Sequence, residues 1–355
     1  MIALPWHREP LRRLAADRAR LPHALLVHGA RGIGKGEFAR ALAASVLCEA
    51  PRGGIACGEC PSCHWFSQGN HPDYREVVPE SEADDALRPA QDGAEAAEDE
   101  APRAEKSKSL VIKIEQVRAL ADFVALTTHR AGHRVLVIRP AEALHPAAAN
   151  ALLKTLEEPP PATLIVMVSD QPARLLPTIR SRCRAVALVA PAADEALAWL
   201  REEGVDDPAA ALAGAGGAPL LARDLASPTE AEFRKRVIAE LARPGGANVL
   251  HFAASVDRAA VERFVYWMQT WVFDLVSRRA GAPIRHHRGE AAALEARAKS
   301  ASTALLLDLD RELAEARRLA AHPLNPRLLA EHLLSAYNRA TLSPRPAPER
   351  GRATR

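Results

Sequence analysis

The sequence contains no apolar run that approaches the roughly 20 residues a membrane-spanning helix requires. Its first residues, MIALPWHREPLRR, lack the apolar stretch of a secretory signal. A large charge excess is also missing, because 47 basic and 44 acidic residues leave a formal net charge of only +3. These absences predict a cytoplasmic protein with no membrane partner, and the total charge gives no reason to expect nucleic-acid binding.

Cysteine is scarce, but four of the five cysteines lie within sixteen positions of one another. The clustered cysteines are Cys48, Cys57, Cys60 and Cys63. In a reducing compartment such clustering favours a metal over disulfides, and four thiolates complete a closed, structural tetrahedral zinc site. An iron–sulfur cluster would need a further cysteine where Ser67 stands. We therefore predict a structural Zn²⁺ module over about 48–63, with His64 and His71 as surface or supporting residues.

A chain of 355 residues is too long for one ordinary core, so two or three domains are expected. In the first half, short apolar runs alternate with helical patterns, as in a doubly wound parallel α/β domain. The predicted strands are 24–28, 74–78, 135–138, 164–168 and 185–189. A helix is predicted over 146–158, between Pro146 in its first turn and the prolines at 159–161. This domain is predicted to span 1–190.

The remaining segments differ in composition. Within 80–106 there are ten acidic and three basic residues and no periodic apolar face, so we predict a disordered acidic insertion over 80–109. Beyond residue 190 the strand patterns stop, which predicts a small helical lid over 191–228 and an all-helical domain over 229–342. The segment 343–355 is predicted to be a disordered tail.

The longest predicted helix, 257–281, carries a stripe of aromatic and apolar residues at helical spacing. The stripe consists of Phe264, Trp267, Met268, Trp271 and Leu275. It predicts a core or a subunit interface rather than a ligand pocket.

A phosphate loop follows the first predicted strand and opens a helix, with the pattern G-x-x-x-x-G-K. Gly29, Gly32 and Gly34 let backbone N–H groups approach phosphate oxygens, and Lys35 is placed to reach the outer phosphates. The next position should be Ser or Thr, whose hydroxyl coordinates Mg²⁺, but it is Gly36. This loop is therefore degenerate.

A second metal-binding group is missing at the end of the third predicted strand. Working ATPases end this strand in an Asp that holds Mg²⁺, usually followed by a Glu, whereas here Arg139 and Pro140 stand there. Glu142 is acidic but follows too late in the chain. We predict no hydrolysis by this chain, and ATP binding that is weak or absent.

The segment NALLKTLEEPP at 150–160, the tripeptide Ser181-Arg182-Cys183 and the cysteine module after the phosphate-loop helix together resemble bacterial clamp-loader subunits of the AAA+ type. The resemblance runs from about Leu4 to Leu342, apart from the acidic insertion. Two kinds of subunit share these features, the gamma/tau motor and delta-prime.

The motor kind would need Ser or Thr at position 36, an Asp-Glu pair at 139 and 140, and a sensing arginine where Pro219 stands. These departures favour the delta-prime kind. Such a subunit is a stator, held by a C-terminal helical collar in a five-subunit ring with gamma/tau and delta subunits. The ring places the beta sliding clamp on primed DNA.

The resemblance further implies membership of the DNA polymerase III holoenzyme, a DNA-directed DNA polymerase and nucleotidyltransferase, without ATPase activity of the chain's own. It also implies that Arg182 is an arginine finger, which acts in trans on the ATP site of a neighbouring motor subunit. Such fingers contribute roughly 10³–10⁵ in rate in other enzymes. Arg180 lies nearby and could share the role. On the residues alone, Arg182 would instead be expected to form a local cap or salt bridge.

Two alternatives stay open on the residues alone. A gamma/tau-like ATPase with unusual motifs would hydrolyse ATP as a purified subunit. A zinc-bearing nucleic-acid-binding module with a vestigial phosphate loop would show salt-dependent DNA binding, although no basic cluster lies near the cysteines.

Overall fold

In the computed structural model, the described residues are 3–83, 109–125, 128–129, 132–243, 249–319 and 325–342. The chain divides into two compact units, Met1–Glu195 and Ala196–Arg355. Each unit has its own helices and its own apolar core. The finer division into a lid over 191–228 and a collar over 229–342 stays a prediction.

The first unit contains a five-stranded parallel sheet. Its strands are β1 (Ala24–His28), β2 (Tyr74–Val77), β3 (Arg134–Ile138), β4 (Thr163–Ser169) and β5 (Arg184–Ala187). Their order across the sheet is β2-β3-β4-β1-β5. The central strands β3 and β4 are buried along their whole length, as expected of a parallel sheet covered on both faces. The predicted strands and the α/β class are confirmed.

Helices connect and cover these strands. Those of the first unit are α1 (Arg8–Ala15), α2 (Lys35–Leu47), α3 (Pro61–Ser67), α4 (Ile114–Ala125), α5 (Pro146–Glu157) and α6 (Pro177–Arg180), and α7 (Ala193–Glu202) spans the boundary between the units. Helix α5 begins where the sequence predicts, because Pro146 suits its first turn and the His145 ring accepts a hydrogen bond from the Ala147 amide at 3.2 Å.

The predicted acidic insertion is described only at its two ends, since residues 84–108 lie outside the described residues. These ends are joined to each other. The Ser81 amide donates to the Ser109 carbonyl at 3.1 Å, and Lys113 Nζ lies 2.5 Å from Glu80 Oε1. Residues 80–82 form a 3₁₀ turn. The predicted tail from residue 343 also lies outside the described part of the chain.

The described residues of the second unit, within 196–243, 249–319 and 325–342, contain helices and no strand. Its helices are α8 (Pro208–Gly214), α9 (Pro219–Leu225), α10 (Pro228–Ala242), α11 (Val249–Ala254), α12 (Val261–Arg279), α13 (Ala291–Ser300), α14 (Thr303–Leu319) and α15 (Pro326–Thr341). Within the predicted lid, residues 208–225 contain two helices. The chain turns at Gly216 and Gly217, whose φ angles of +63° and +92° suit glycine.

The aromatic stripe on α12 forms the core of the second unit. Trp267 and Trp271 are both almost fully buried. The indole of Trp271 donates to the Tyr337 hydroxyl at 2.9 Å, and that hydroxyl donates to the Leu241 carbonyl at 2.7 Å. The buried polar groups of Trp271 and Tyr337 therefore both have hydrogen-bond partners. Among the helices that the structure describes, none is both long and apolar enough to cross a membrane.

Candidate phosphate-loop, metal and arginine sites

The phosphate loop joins β1 to α2 and keeps the backbone shape that its glycines permit. Gly34 has a φ of +92° and lies directly before Lys35, the first residue of α2. At Gly29 a Cβ would come within 2.3 Å of the Leu188 carbonyl oxygen, so no larger residue fits there. The structure thus brings Gly29, Gly32, Gly34 and Lys35 together at the N-terminus of a helix, as the motif requires.

The lysine of the loop already has partners within the chain. Lys35 is only 4% exposed. Its Nζ lies 2.5 Å from Asp170 Oδ1 and donates to the Ala30 carbonyl at 2.6 Å. Asp170 directly follows β4, which is next to β1 in the sheet. Sequence reasoning missed Asp170, because only the sheet order brings position 170 to position 35.

Arg139 directly follows β3, at the position where an ATPase has its metal-binding Asp. Its side chain lies against the loop, so that a Cβ built on Gly36 would be 3.5 Å from Arg139 Cδ and 3.9 Å from Nε. The guanidinium is fixed by carboxylates, with Nε 2.5 Å from Glu76 Oε1 and Nη1 3.2 Å from Glu82 Oε2. A positive charge therefore stands beside Gly36.

Glu76 is the centre of this charge network. Its side chain is fully buried and also pairs with Arg40 Nε at 3.1 Å. Burial alone would raise its pKa, but the charges of Arg139 and Arg40 outweigh burial and hold the Glu76 pKa below its usual value. Glu76 is therefore a carboxylate, and it neutralises the cations behind the loop.

Glu142, which follows too late in sequence to replace the missing acid, has a different task in the structure. Its Oε1 accepts hydrogen bonds from the backbone amides of Asp170 at 2.9 Å and Gln171 at 3.2 Å. Glu142 thereby fixes the turn after β4 that carries Asp170.

The N-terminal segment packs on the same loop. The Trp6 indole donates to the Ile33 carbonyl at 2.9 Å, and the His7 ring makes an edge contact with Phe38 at 5.4 Å. His7 is buried, and burial, with the charge of Lys35 adding to it, lowers its pKa to about 4. This histidine is therefore neutral in the folded protein at pH 7.

The four clustered cysteines come together at the other end of α2. Their sulfur atoms all lie within 4.8 Å of one another. Three of the separations are 3.5 Å (Cys48–Cys57), 3.8 Å (Cys48–Cys60) and 3.9 Å (Cys57–Cys63). Four sulfurs bound tetrahedrally to zinc at about 2.3 Å would lie about 3.8 Å apart. The cluster could hold a metal ion, and its geometry fits zinc.

Backbone N–H groups point at these sulfurs, as they do where thiolates bind a cation. The amides of Glu59 and Cys60 donate to Cys57 Sγ at 3.5 and 3.3 Å. These bonds lower the pKa of the Cys57 thiol to about 6. Deprotonation, which metal binding requires, is thereby favoured at this sulfur.

The histidines near the cluster are not among its ligands. His64 is exposed and His71 is buried. The His71 ring lies 2.7 Å from Ser62 Oγ through Nε2, and its Nδ1 accepts from the Asp73 amide at 3.1 Å. Because Ser62 donates to the Leu47 carbonyl at 2.6 Å, His71 ties the cysteine module to α2 and the start of β2.

Cys183, the fifth cysteine, lies just before β5 and is half-buried. Its Sγ lies 3.8 Å from the Met167 sulfur, and burial raises its pKa to about 11. It is apart from the four-cysteine cluster and serves as a natural control for it.

Arg182 lies in the turn between α6 and β5, and β5 is an edge strand of the sheet. Its guanidinium is held within the chain. Nη2 lies 2.6 Å from Glu157 Oε1 at the end of α5, and Nη1 donates to the Thr178 carbonyl at 2.9 Å. About a third of the side chain remains exposed (34%), so it is anchored at a surface. Arg180 is exposed.

Two family models match the chain. One, described as "DNA polymerase III, delta subunit", matches residues 9–192. The other, described as "DNA polymerase III, delta subunit, C terminal", matches residues 229–338. The first match alone covers more than half of the chain.

Similar proteins agree with these models. The DNA polymerase III subunit delta' of Pseudomonas aeruginosa is 40% identical over 238 residues, which cover 66% of this chain and 64% of that protein. That of Yersinia pestis is 32% identical over 346 residues, or 93% of this chain and 94% of that protein. The subunit tau of Salmonella typhimurium is 33% identical over only 164 residues, or 46% of this chain and 21% of that protein. The chain belongs to the family of DNA polymerase III delta' subunits.

Proposed function

We propose that this chain is a stator subunit of a bacterial clamp loader that does not hydrolyse ATP itself. It assembles with gamma/tau and delta subunits in a five-subunit ring that places the sliding clamp on primer-template DNA. In that ring Arg182 acts as an arginine finger in the ATP site of a neighbouring motor subunit. The proposal rests on membership of the delta' family and on the resemblance of the Ser181-Arg182-Cys183 motif.

The observation that carries the proposal is the position of Arg139 beside Gly36. A motor subunit needs a hydroxyl and a carboxylate at these places to hold Mg²⁺. Here a methylene and a nitrogen of an arginine side chain face the glycine instead. This arrangement supports a subunit that keeps the fold of a motor without its chemistry, and it speaks against the gamma/tau-like ATPase.

The surroundings of Arg182 support a role in trans. The side chain is anchored by Glu157 and the Thr178 carbonyl, yet it is partly exposed on a turn beside an edge strand. In the neighbouring site it would stabilise the charge that develops on the transferred phosphoryl group.

The test uses the complex reconstituted with gamma/tau and delta subunits. Arg182→Ala leaves the cysteine module and the helical second unit intact, so we expect assembly by gel filtration to be unchanged. ATP turnover with clamp and primed DNA should fall partially, because one of several motor sites loses its finger. Arg182→Lys should not restore turnover, since an ammonium lacks the planar fork of the guanidinium.

Arg180→Ala removes the same charge two positions earlier on an exposed residue, and it tests whether Arg180 shares the role. Turnover at the wild-type level would assign the role to Arg182 alone, and a partial fall would assign a share to Arg180. Normal turnover in a fully assembled Arg182→Ala complex would refute the finger. Failure of the wild-type chain to co-purify with gamma/tau and delta would refute the stator, and ATPase activity of the purified chain would favour the motor alternative.

We further propose that the four-cysteine cluster binds one structural zinc ion. The support is the separation of the sulfurs, which fits a closed tetrahedral site with no position for substrate. When bound, zinc would cross-link the end of α2 to the loop and helix α3 that follow it. The four thiolates would supply all of its ligands.

A further inference from the structure

The phosphate loop is surrounded by ion pairs that form without any ligand. Three of the cations at or behind the loop and α2 are those of Lys35, Arg40 and Arg139. They are paired with three carboxylates, those of Asp170, Glu76 and Glu82. A nucleotide brings several negative charges, and a working loop meets them with an available lysine and a metal ion.

The first contact concerns the lysine. Lys35 has three N–H donors, and one lies against Asp170 while another is given to the Ala30 carbonyl. A phosphate that approaches Lys35 must therefore displace a carboxylate from a lysine that is almost fully buried. Such an exchange contributes little binding free energy, because the phosphate only replaces the carboxylate that already pairs with Lys35.

Asp170 is not a loose surface side chain. Its backbone amide donates to Glu142 Oε1 at 2.9 Å, and the next amide, that of Gln171, donates to both Glu142 and Ser169 Oγ at 3.2 and 3.1 Å. The turn after β4 is therefore fixed by hydrogen bonds, and it holds the Asp170 carboxylate toward the loop before any ligand arrives.

The second contact concerns the metal. A Ser or Thr at position 36 would bring its Cβ into contact with Arg139, whose Cδ lies 3.5 Å from that position. Arg139 cannot move away freely, because Glu76 and Glu82 bind its guanidinium. A guanidinium has no acceptor atom for Mg²⁺, and its charge repels the ion.

We infer that the loop is occupied by its own chain: the Asp170 carboxylate takes the place of a phosphate at Lys35, and the Arg139 side chain takes the place of the metal beside Gly36. Asp170 and Arg139 are thus the residues that determine what the loop excludes. Asp170 opposes phosphate-bearing ligands, and Arg139 opposes the divalent cation that would accompany them. The inference concerns this chain alone and holds whether or not it assembles with the proposed partners.

The inference is tested with the purified full chain and a fluorescent ADP analogue, titrated with magnesium and separately with EDTA. The wild-type chain should show no saturable binding. Asp170→Asn keeps the shape and the backbone amide but removes the charge, so binding should tighten by at least about tenfold, the equivalent of one modest charge contact. The increase in affinity for the ADP analogue should be the same with magnesium and with EDTA, because Arg139 still excludes the metal.

Two controls show that the gain has the stated cause. Asp194→Asn removes the same charge from an exposed position on α7 and should leave binding at the wild-type level. Lys35→Ala added to Asp170→Asn should abolish the gain, since the released lysine is the group that binds. Asp170→Ser serves in place of Asp170→Asn if thermal melting shows that the amide variant is unfolded.

The metal contact has its own pair of variants. In the Asp170→Asn background, where binding can be measured, Gly36→Thr restores the consensus hydroxyl but should not make binding magnesium-dependent, because the new side chain meets Arg139. Gly36→Thr combined with Arg139→Asp in the same background should make binding tighter with magnesium than with EDTA. The inference is overturned if the wild-type chain binds magnesium and ADP through Lys35, if a folded Asp170 variant gains nothing, or if Gly36→Thr alone creates magnesium dependence.

Discussion

The two ends of helix α2 carry two potential binding sites, and they differ in what each one has kept. At the N-terminal end the phosphate loop keeps the backbone shape, with Gly34 at a φ of +92°, but it has lost the side chains that hold a metal. At the C-terminal end Cys48 and its three partners keep a complete set of ligands. One end has the fold of a binding site without its ligand groups, and the other has four side chains that could hold a metal ion.

The difference follows from how charge is balanced at each end. Lys35, Arg40 and Arg139 need no bound anion to balance their charges, because Asp170 pairs with Lys35 and Glu76 pairs with Arg139 and Arg40. Four sulfurs within 4.8 Å of one another would repel as thiolates until a cation joins them. A phosphate loop can therefore survive without a nucleotide more easily than a cysteine cluster can survive without a metal.

The largest effect is expected at the cysteine end. Cys60→Ser removes one of four ligands, and structural zinc contributes about 10–16 kcal/mol in small zinc-binding peptides, so the first unit should lose at least about 5 kcal/mol of stability. Elemental analysis should find about one zinc per wild-type chain and much less in the variant. Cys183→Ser is the matched control and should keep the metal, because Cys183 lies apart from the cluster. If the wild-type chain without zinc were as stable as the chain with zinc, the prediction that the cysteine end depends on a metal would be wrong.

The next effect is expected at the loop end. Glu76→Gln leaves Arg40 and Arg139 without the buried carboxylate they share, which should cost about 3 kcal/mol in the free energy of unfolding, measured with denaturant. Glu82 is the more exposed partner of Arg139, since 39% of the Glu82 side chain is accessible. Glu82→Gln should therefore lower the free energy of unfolding by less than about 1 kcal/mol. Equal costs for the two variants would show that burial of Glu76 does not matter.

A smaller effect depends on pH and also concerns the loop end. Burial lowers the pKa of His7 to about 4 from the 6.5 of an exposed histidine. Because the unfolded chain takes up the proton first, stability is fully present above pH 6.5 and is lost as pH falls toward 4. At pH 5 the loss from this residue should be about 2 kcal/mol. His7→Phe should lose less stability than wild type between pH 7 and pH 5, and an equal loss would contradict the assignment.

The sequence predicted the parts of this molecule that depend on near neighbours in the chain. The glycines at 29, 32 and 34, the cysteine spacing and the proline boundaries of α5 each act over a few residues, and each lies where expected. The five strands were recognisable because a covered parallel strand is apolar on both faces.

The occupants of the loop could not be predicted in the same way. Arg139 and Asp170 are more than a hundred positions from Lys35, and they reach the loop only because β3 and β4 end on the same edge of the sheet as β1. The sequence showed that position 139 lacks the metal-binding Asp of an ATPase. It did not show that the Arg139 side chain would lie beside Gly36. The break between α8 and α9 did have a local signal, since Gly216 and Gly217 precede Pro219.

The smallest effect is predicted for the residue that usually matters most in a phosphate loop. Lys35→Ala in this chain should leave ATP turnover by the assembled complex nearly unchanged, because Lys35 is engaged with Asp170 and takes no part in hydrolysis. The substitution should not unfold the loop, since Asp170 is a third exposed and can be hydrated once its partner is gone. The matching lysine substitution in the gamma/tau subunit is the control and should abolish turnover. A strong loss in the Lys35→Ala complex would mean that this end of α2 binds a nucleotide after all, and that both ends of the helix depend on a ligand.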